Sequence, residues 1–172
     1  MVRHQLQEQF ITMLEAHLGI LLKIARAYTH TFQDREDLIS DIVYEMWKSF
    51  PDFKGHSKVS TWIYRVALNT ALNQNRRNRK KRDFLQHAID ISTNESAEEN
   101  SVNPQVELLY ECIDELDEFS KAIILLYLDG HKHDEIAEIT GISTSNVGTR
   151  ISRIKEVLKN RIITKQENHG IK

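Results

Sequence analysis

The stretch HDEIAEITGISTSNVGTRISRIKEVL, residues 133–158, restricts the fold more tightly than any other part of the chain. It predicts two short helices joined by a tight turn. Ala137 is small enough for a second helix to cross close above it. Gly141, four residues on, stands where the first helix must end in a left-handed turn that only glycine enters cheaply. Ile142 and Val147 then close a small core between the helices, and Ser143 is placed to cap the second. An ordinary helix hairpin with a glycine stop also fits this pattern. The small residue, the glycine and the β-branched residues answer separate steric demands, however, and together favour a helix-turn-helix.

Val147, Ile151, Ile154 and Leu158 recur at steps of four, three and four, so they predict the buried stripe of the second helix. Its other face carries Thr144, Ser145, Asn146, Thr149, Arg150 and Arg153. Hydroxyls and an amide near a helix N-terminus suit phosphates or base edges, and an arginine fork suits guanine or phosphate. A plain solvated face is the alternative. Gly148 costs such a helix about 1 kcal/mol relative to alanine; either it lets DNA approach the backbone or the helix is less stable than it could be.

Net charge is only -2 over 172 residues, but the charge is segregated. Residues 1–83 carry 14 Lys/Arg against 9 Asp/Glu, residues 84–120 carry none against 10, and residues 121–172 carry 9 against 6. Two basic ends around an acidic centre suggest two nucleic-acid-facing modules and a linker that avoids phosphates. A mean hydropathy of -0.47 and no run of roughly 18 apolar residues argue against membrane insertion. The N-terminus lacks the apolar core of a signal peptide, so a cytoplasmic protein is expected. The lone Cys112 reads as a small core residue, and no His/Cys cluster has metal-ligand spacing. There is no Gly-rich phosphate loop, so neither cofactor nor metal is expected.

The expected fold is all-α: two small helical domains joined by a flexible acidic linker, the second domain being the helix-turn-helix. A first helix is expected from about Gln5 to His30, with Phe10, Met13, Leu14, His17, Leu18, Leu21, Leu22 and Ala25 inward. A second should run from Asp34 to Phe50, stopped by Pro51, and a third from near Thr61 past Arg77. The polar stretch 91–104 has no periodicity and reads as linker. Helices resume after Pro104, one marked by Val106, Leu109, Tyr110, Ile113 and Leu116. The next is marked by Phe119, Ala122, Ile123, Leu126 and Tyr127 and stopped by Gly130. The expected boundaries are 1–84, linker 85–104, 105–165 and a tail 166–172, with residues 160–172 polar and short.

Two features of the first domain exceed what folding alone requires. Asp34, Asp37, Asp41 and Glu45 stack on one helix face, where like charges repel. Beside Leu38, Ile42 and Met46 they suggest a docking surface for a basic partner, although a solvated face would look similar. The segment from Phe53 through Lys54, His56, Ser57 and Lys58 to Trp62 and Tyr64 continues to Arg65, Asn69, Asn73 and Asn75. Six Arg/Lys then fall among residues 76–82, including Arg76 and Arg77. Basic residues tracking a backbone, with aromatic faces for unstacked bases, suit single-stranded nucleic acid. For Trp62, a core position is an equal alternative.

In this order the pieces resemble the extracytoplasmic-function (ECF) sigma factors of bacterial RNA polymerase, the sigma-70 family. DREDLISDIVYEMW, residues 34–47, resembles the family's second-region helix. FKGHSKVSTWIYRVALNTALNQNRR resembles its promoter-melting and minus-ten segment, and residues 133–158 its minus-thirty-five helix-turn-helix. Ser40 stands where the family often has glutamine, and Gly148 where it often has lysine.

The resemblance implies a non-enzymatic factor that binds core RNA polymerase and promoter DNA. Asp34, Asp37, Leu38, Asp41 and Glu45 would dock on the beta-prime coiled coil, and the second domain would rest on the beta flap. The loop from Phe53 to Ser60 would hold a flipped base. Trp62, Arg65, Asn69, Asn73, Arg76 and Arg77 would line the path of the melted minus-ten element. Thr144, Ser145, Asn146, Thr149, Arg150 and Arg153 would meet the minus-thirty-five duplex. A cognate anti-sigma factor is a further expectation. A free-standing helix-turn-helix repressor or activator would leave the acidic row and the distant basic segment unused. A recombinase lacks a nucleophile–base set, and an anti-sigma protein would lack its zinc motif or membrane segment.

Overall fold

In the computed structural model, residues 2–86 and 103–169 are described, and they form two separate helical units. The first holds α1 (Val2–Tyr28), α2 (Phe32–Ser49), a 3-10 turn (Phe50–Asp52) and α3 (Val59–Gln86). The second holds α4 (Pro104–Asp114), α5 (Glu118–Leu128), α6 (His133–Thr140) and α7 (Thr144–His169). Among the described residues every regular element is helical. Most of the stretch read as linker lies outside the described residues.

In the first unit Thr31 starts α2: its Oγ1 accepts the Asp34 amide at 3.0 Å and donates to Asp34 Oδ2 at 2.7 Å. Pro51 stops α2 and seeds the 3-10 turn. Leu21, Ile24, Leu38, Ile42, Met46, Ile63 and Tyr64 fill the core. Ala67 and Ala71 on α3 are buried without bulk, so the other helices can approach closely. At one end, a train of rings ties the helices together. Phe10 meets Trp47 at 5.1 Å and Phe50 at 5.3 Å, edge to face; Trp62 lies 6.2 Å from Phe50 and 4.9 Å from Phe53.

The inward face of α1 departs from expectation. Leu18 and Leu22 are 43% and 47% exposed, and Ile20, Ile24, Ala27 and Tyr28 are buried. At about 100° per residue, Leu18 and Leu22 sit roughly 80° and 120° round from Phe10, off the strip that α2 and α3 cover. Periodicity found the strip but centred it too far toward Leu18 and Leu22, missing Ile20, Ile24 and Ala27 on its other edge.

The caps of the second unit follow the sequence closely. Asn103 accepts the Gln105 amide at 3.0 Å with Pro104 at the first helical position. Asp117 caps α5, its Oδ1 accepting the amides of Phe119 and Ser120 at 3.1 and 2.9 Å. Gly130, at φ 84°, ends α5 in a Schellman motif, with His131 N donating to Leu126 O and Gly130 N to Tyr127 O. Ile113, Ile123, Ile124, Leu126, Ile136 and Val147 form the core; burying each such aliphatic side chain is worth about 1.5–3 kcal/mol.

Residues 160–169, expected to be a short polar stretch, are helical. They continue α7, and their basic side chains reach α4: Arg161 Nη1 donates to Cys112 O at 3.2 Å, and Arg161 Nε faces Glu115 at 3.4 Å. Lys165 Nζ contacts Glu115 at 3.0 Å and Glu111 at 3.3 Å. The hydrogen bond to Glu115 leads in raising the Lys165 pKa, against the cost of desolvation. Asp114 is likewise paired, with the buried Lys121 at 2.7 Å. Part of the acidic centre of the sequence is therefore internal neutralisation rather than linker charge. Burial pushes the Cys112 thiol pKa up, which suits a core position.

Candidate nucleic-acid interface

On α2, Asp34, Asp37 and Asp41 are exposed. Asp34 serves the helix start through Thr31, and Glu45 is half-buried with Lys48 at 3.7 Å. Leu38 belongs to the core instead: it is 0% exposed, as are Ile42 and Met46. The apolar positions beside the acidic row are the stripe that faces α3 and α1, and Leu38 is committed to that packing. Tyr44, 62% exposed, is the apolar group that does share the face of Asp37 and Asp41, seven and three residues on. Sequence reasoning passed over it, although an aromatic residue in a polar register was the available signal.

After the 3-10 turn the chain runs through Gly55, at φ 73°, into α3. Lys54, His56 and Lys58 are exposed, and Phe53 and Ser57 half-buried. Along α3, Arg65 is half-buried, while Asn69, Asn73, Arg76 and Arg77 are exposed and follow at helical spacing on neighbouring strips. The side chains at 80–82 lie outside the described residues. Trp62 takes the core position that was one of its two readings. It shares the strip of Asn69 and Asn73, yet it is 9% exposed because Phe53 and Phe50 fold over that end of the helix. The Trp62 ring packs against Phe50 and Phe53 at the start of the loop.

In the second unit, α6 ends at Gly141 in the left-handed region, φ 75°, with its amide bonded to Ala137 O at 2.9 Å. Ser143 Oγ accepts the Asn146 amide at 3.4 Å, a long cap for α7. Val147, Ile151, Ile154 and Leu158 are buried as their spacing predicts. Thr144, Ser145, Asn146, Thr149, Arg150 and Arg153 are all exposed on the other side. Thr149 Oγ1 donates back to Ser145 O at 3.0 Å. A cleft of about 270 Å³ gathers Asn146, Thr149, Arg150, Arg153 and Ile154 with Ser120 of α5. The Arg150 guanidinium lies 5.2 Å from the centre of the Phe119 ring. Phe119 and Ser120 are additions to the expected set; as apolar and small positions of α5, they carried no sequence signal.

Gly148 faces α6. A methyl group there would meet the His133 ring at 3.6–3.7 Å, ordinary contact. Gly148→Ala is therefore expected to stabilise the second unit by about 1 kcal/mol, raising its melting temperature by roughly 4–8 °C. A fall in a calorimetric scan would contradict that packing.

The described residues offer no group of three or more His, Cys, Asp or Glu that could hold a metal ion. No described helix is long and apolar enough to cross a membrane.

Comparison with known proteins places these surfaces in a family. The Sigma-70 region 2 model matches residues 13–81, and the Sigma-70, region 4 model matches residues 107–158. The ECF RNA polymerase sigma-E factor of Haemophilus influenzae is 31% identical over 144 residues, 75% of either chain. The chain belongs to the sigma-70 family as an ECF sigma factor.

As a sigma factor it directs transcription initiation and binds DNA. The RNA polymerase sigma factor YlaC of Bacillus subtilis is 28% identical over 153 residues, covering 83% of this sigma factor and 86% of YlaC. The sigma factor RpoE from Bartonella quintana, solved in complex with the anti-sigma factor NepR, shares the fold. Its TM-score is 0.75 at 20% identity, over 90% of this chain and 97% of that one. CnrH, solved with the cytosolic domain of CnrY, gives a TM-score of 0.63 at 21% identity, over 92% and 90% of the two chains. The region 2 match spans the acidic row, the loop and α3 as far as position 81, and the region 4 match ends at Leu158. Arg161 and Lys165, which fasten α7 to α4, lie beyond it.

Proposed function

We propose that this sigma factor reads a promoter at two places, opened DNA with the first unit and duplex DNA with the second. The acidic face of α2, with Asp37 and Asp41 exposed and Asp34 and Glu45 flanking them, docks on the basic coiled coil of the polymerase beta-prime subunit. Lys54, His56, Ser57 and Lys58 form the loop that holds a base flipped from the minus-ten element. Arg65, Asn69, Asn73, Arg76 and Arg77 carry the strand away along α3. Unstacking a base costs a few kcal/mol, which a pocket offsets only on the correct sequence. Phe53 and Trp62 support that loop from beneath.

The exposed row on α7 carries this reading. Thr144, Ser145, Asn146, Thr149, Arg150 and Arg153 stand together at the start of the second helix of a helix-turn-helix, with nothing apolar among them. Such a row enters a major groove, where an arginine fork on guanine discriminates by about 1–3 kcal/mol, or roughly 5- to 150-fold. The second unit also rests on the beta flap, so that each reader raises the other's local concentration once polymerase holds both. A cognate anti-sigma factor is the further partner, supported by the capture of RpoE and CnrH with NepR and CnrY.

Arg150→Ala tests the second reader. In holoenzyme, preference among variants of the upstream promoter element should fall roughly 5-fold or more at one base pair. An unaltered preference in competitive transcription would mean that α7 reads nothing through Arg150.

A further inference from the structure

A side chain on one helix that fixes the direction of a reading group on another shapes specificity without touching the base. Arg150 is an exposed residue of α7, and a free arginine at a helix surface samples many rotamers before it binds. Here its guanidinium lies over the Phe119 ring at 5.2 Å, and Phe119 is half-buried at the second position of α5. Phe119 is itself held. Asp117 takes the Phe119 amide at 3.1 Å, the Ser120 amide at 2.9 Å and the Ser120 hydroxyl at 2.6 Å. These bonds cap the first turn of α5 and hold the backbone from which the half-buried Phe119 ring projects.

Charge acts in the same direction. Burial works to raise the Asp117 pKa. The Ser120 hydroxyl, the amides of Ser120 and Phe119, and the Arg150 guanidinium outweigh it and hold the carboxyl below its ordinary value. The carboxylate is thus ionised whenever DNA is bound near neutral pH, and it draws Arg150 toward the α5 end of the cleft that Asn146, Thr149 and Arg153 also line. Ser120, buried and committed to Asp117, closes that end.

We propose that Phe119 is a positioning residue for promoter recognition: stacked beneath Arg150, it presets the arginine fork toward one base pair of the upstream element. This rests on the reading of α7 as the duplex reader. Preorganisation of this kind sharpens the difference between right and wrong bases, because the fork is stiff before contact. Loss of the ring leaves the charge of Arg150 in place but frees its direction.

The test uses full-length chain reconstituted with core polymerase and promoter variants changed one base pair at a time across the upstream element. Phe119→Leu keeps apolar volume while removing the ring; Phe119→Met replaces it if the leucine variant melts below the parent. Either should lower preference roughly two- to fivefold at the base pair that Arg150→Ala affects, and at no other. Phe119→Tyr should restore the preference, and Phe119→Leu combined with Arg150→Ala should be no worse than Arg150→Ala alone. Full preference in the leucine variant, or a loss spread evenly over all positions, overturns the positioning role while leaving α7 as the reader. No effect of Arg150→Ala at any position removes both.

Discussion

Replacing Asp37 and Asp41 together with lysine is expected to weaken binding to core polymerase by roughly 100-fold or more, because like charges set against each other in an interface cost several kcal/mol. Both side chains are exposed, so the substitution removes no packing. Surface changes of this kind usually move stability by no more than about 0.5 kcal/mol. The i, i+4 repulsion between two aspartates is exchanged for one between two lysines, and both positions lie beyond the first turn of α2, where the helix dipole counts. Asp34 is a poorer choice, since it is engaged with Thr31 at the start of the helix. Circular dichroism should match the parent while fluorescence-detected binding to core is lost. Unchanged affinity with an intact fold would remove the docking role from α2.

Trp62→Ala is expected to destabilise the first unit by about 3–5 kcal/mol, the range for large aromatic truncations in a core. Total stabilities of 5–15 kcal/mol are typical, so much of the unit's margin would go. Its melting transition should fall by roughly 12 °C or more. The reason is the ring train: Trp62 is the link between Phe50 and Phe53, and Phe50 in turn meets Phe10 of α1. Removing it loosens the loop after the 3-10 turn as well as the bundle. Trp62→Phe should recover most of the loss. A variant that melts like the parent but fails to open promoter DNA would instead make Trp62 a stacking face for a base.

Local chemistry explains why so much of the fold was legible. Pro51, Pro104, Gly130 and Gly141 each mark a break for a steric reason that no neighbour can override. The stripe Val147, Ile151, Ile154 and Leu158 was equally plain, because four apolar residues at helical spacing on a polar helix leave one choice of inward face. The exposed polar row on α7 followed as its complement.

What stayed hidden depends on contacts between distant residues. Leu38 read as part of a surface because its register beside the aspartates is visible, whereas the helices that bury it are not. Leu18 and Leu22 are as apolar as Leu21, and only the side of α1 on which α2 and α3 pack separates them. Residues 160–169 read as a tail because the partners of Arg161 and Lys165 lie some fifty positions earlier, on α4. The contact of Arg150 with the Phe119 ring was invisible for the same reason. Sequence shows which face a helix offers, and tertiary structure decides who takes it.

Selection of promoters by the reconstituted complex tests the central claim most directly. Full-length chain and core polymerase would be given a random DNA library, and the start sites of the resulting transcripts sequenced. Two short upstream elements at a set separation should emerge, with the downstream one reactive to permanganate as opened DNA and the upstream one duplex. No initiation beyond that of core alone, or tight selection of duplex sites by the chain without polymerase, would contradict it.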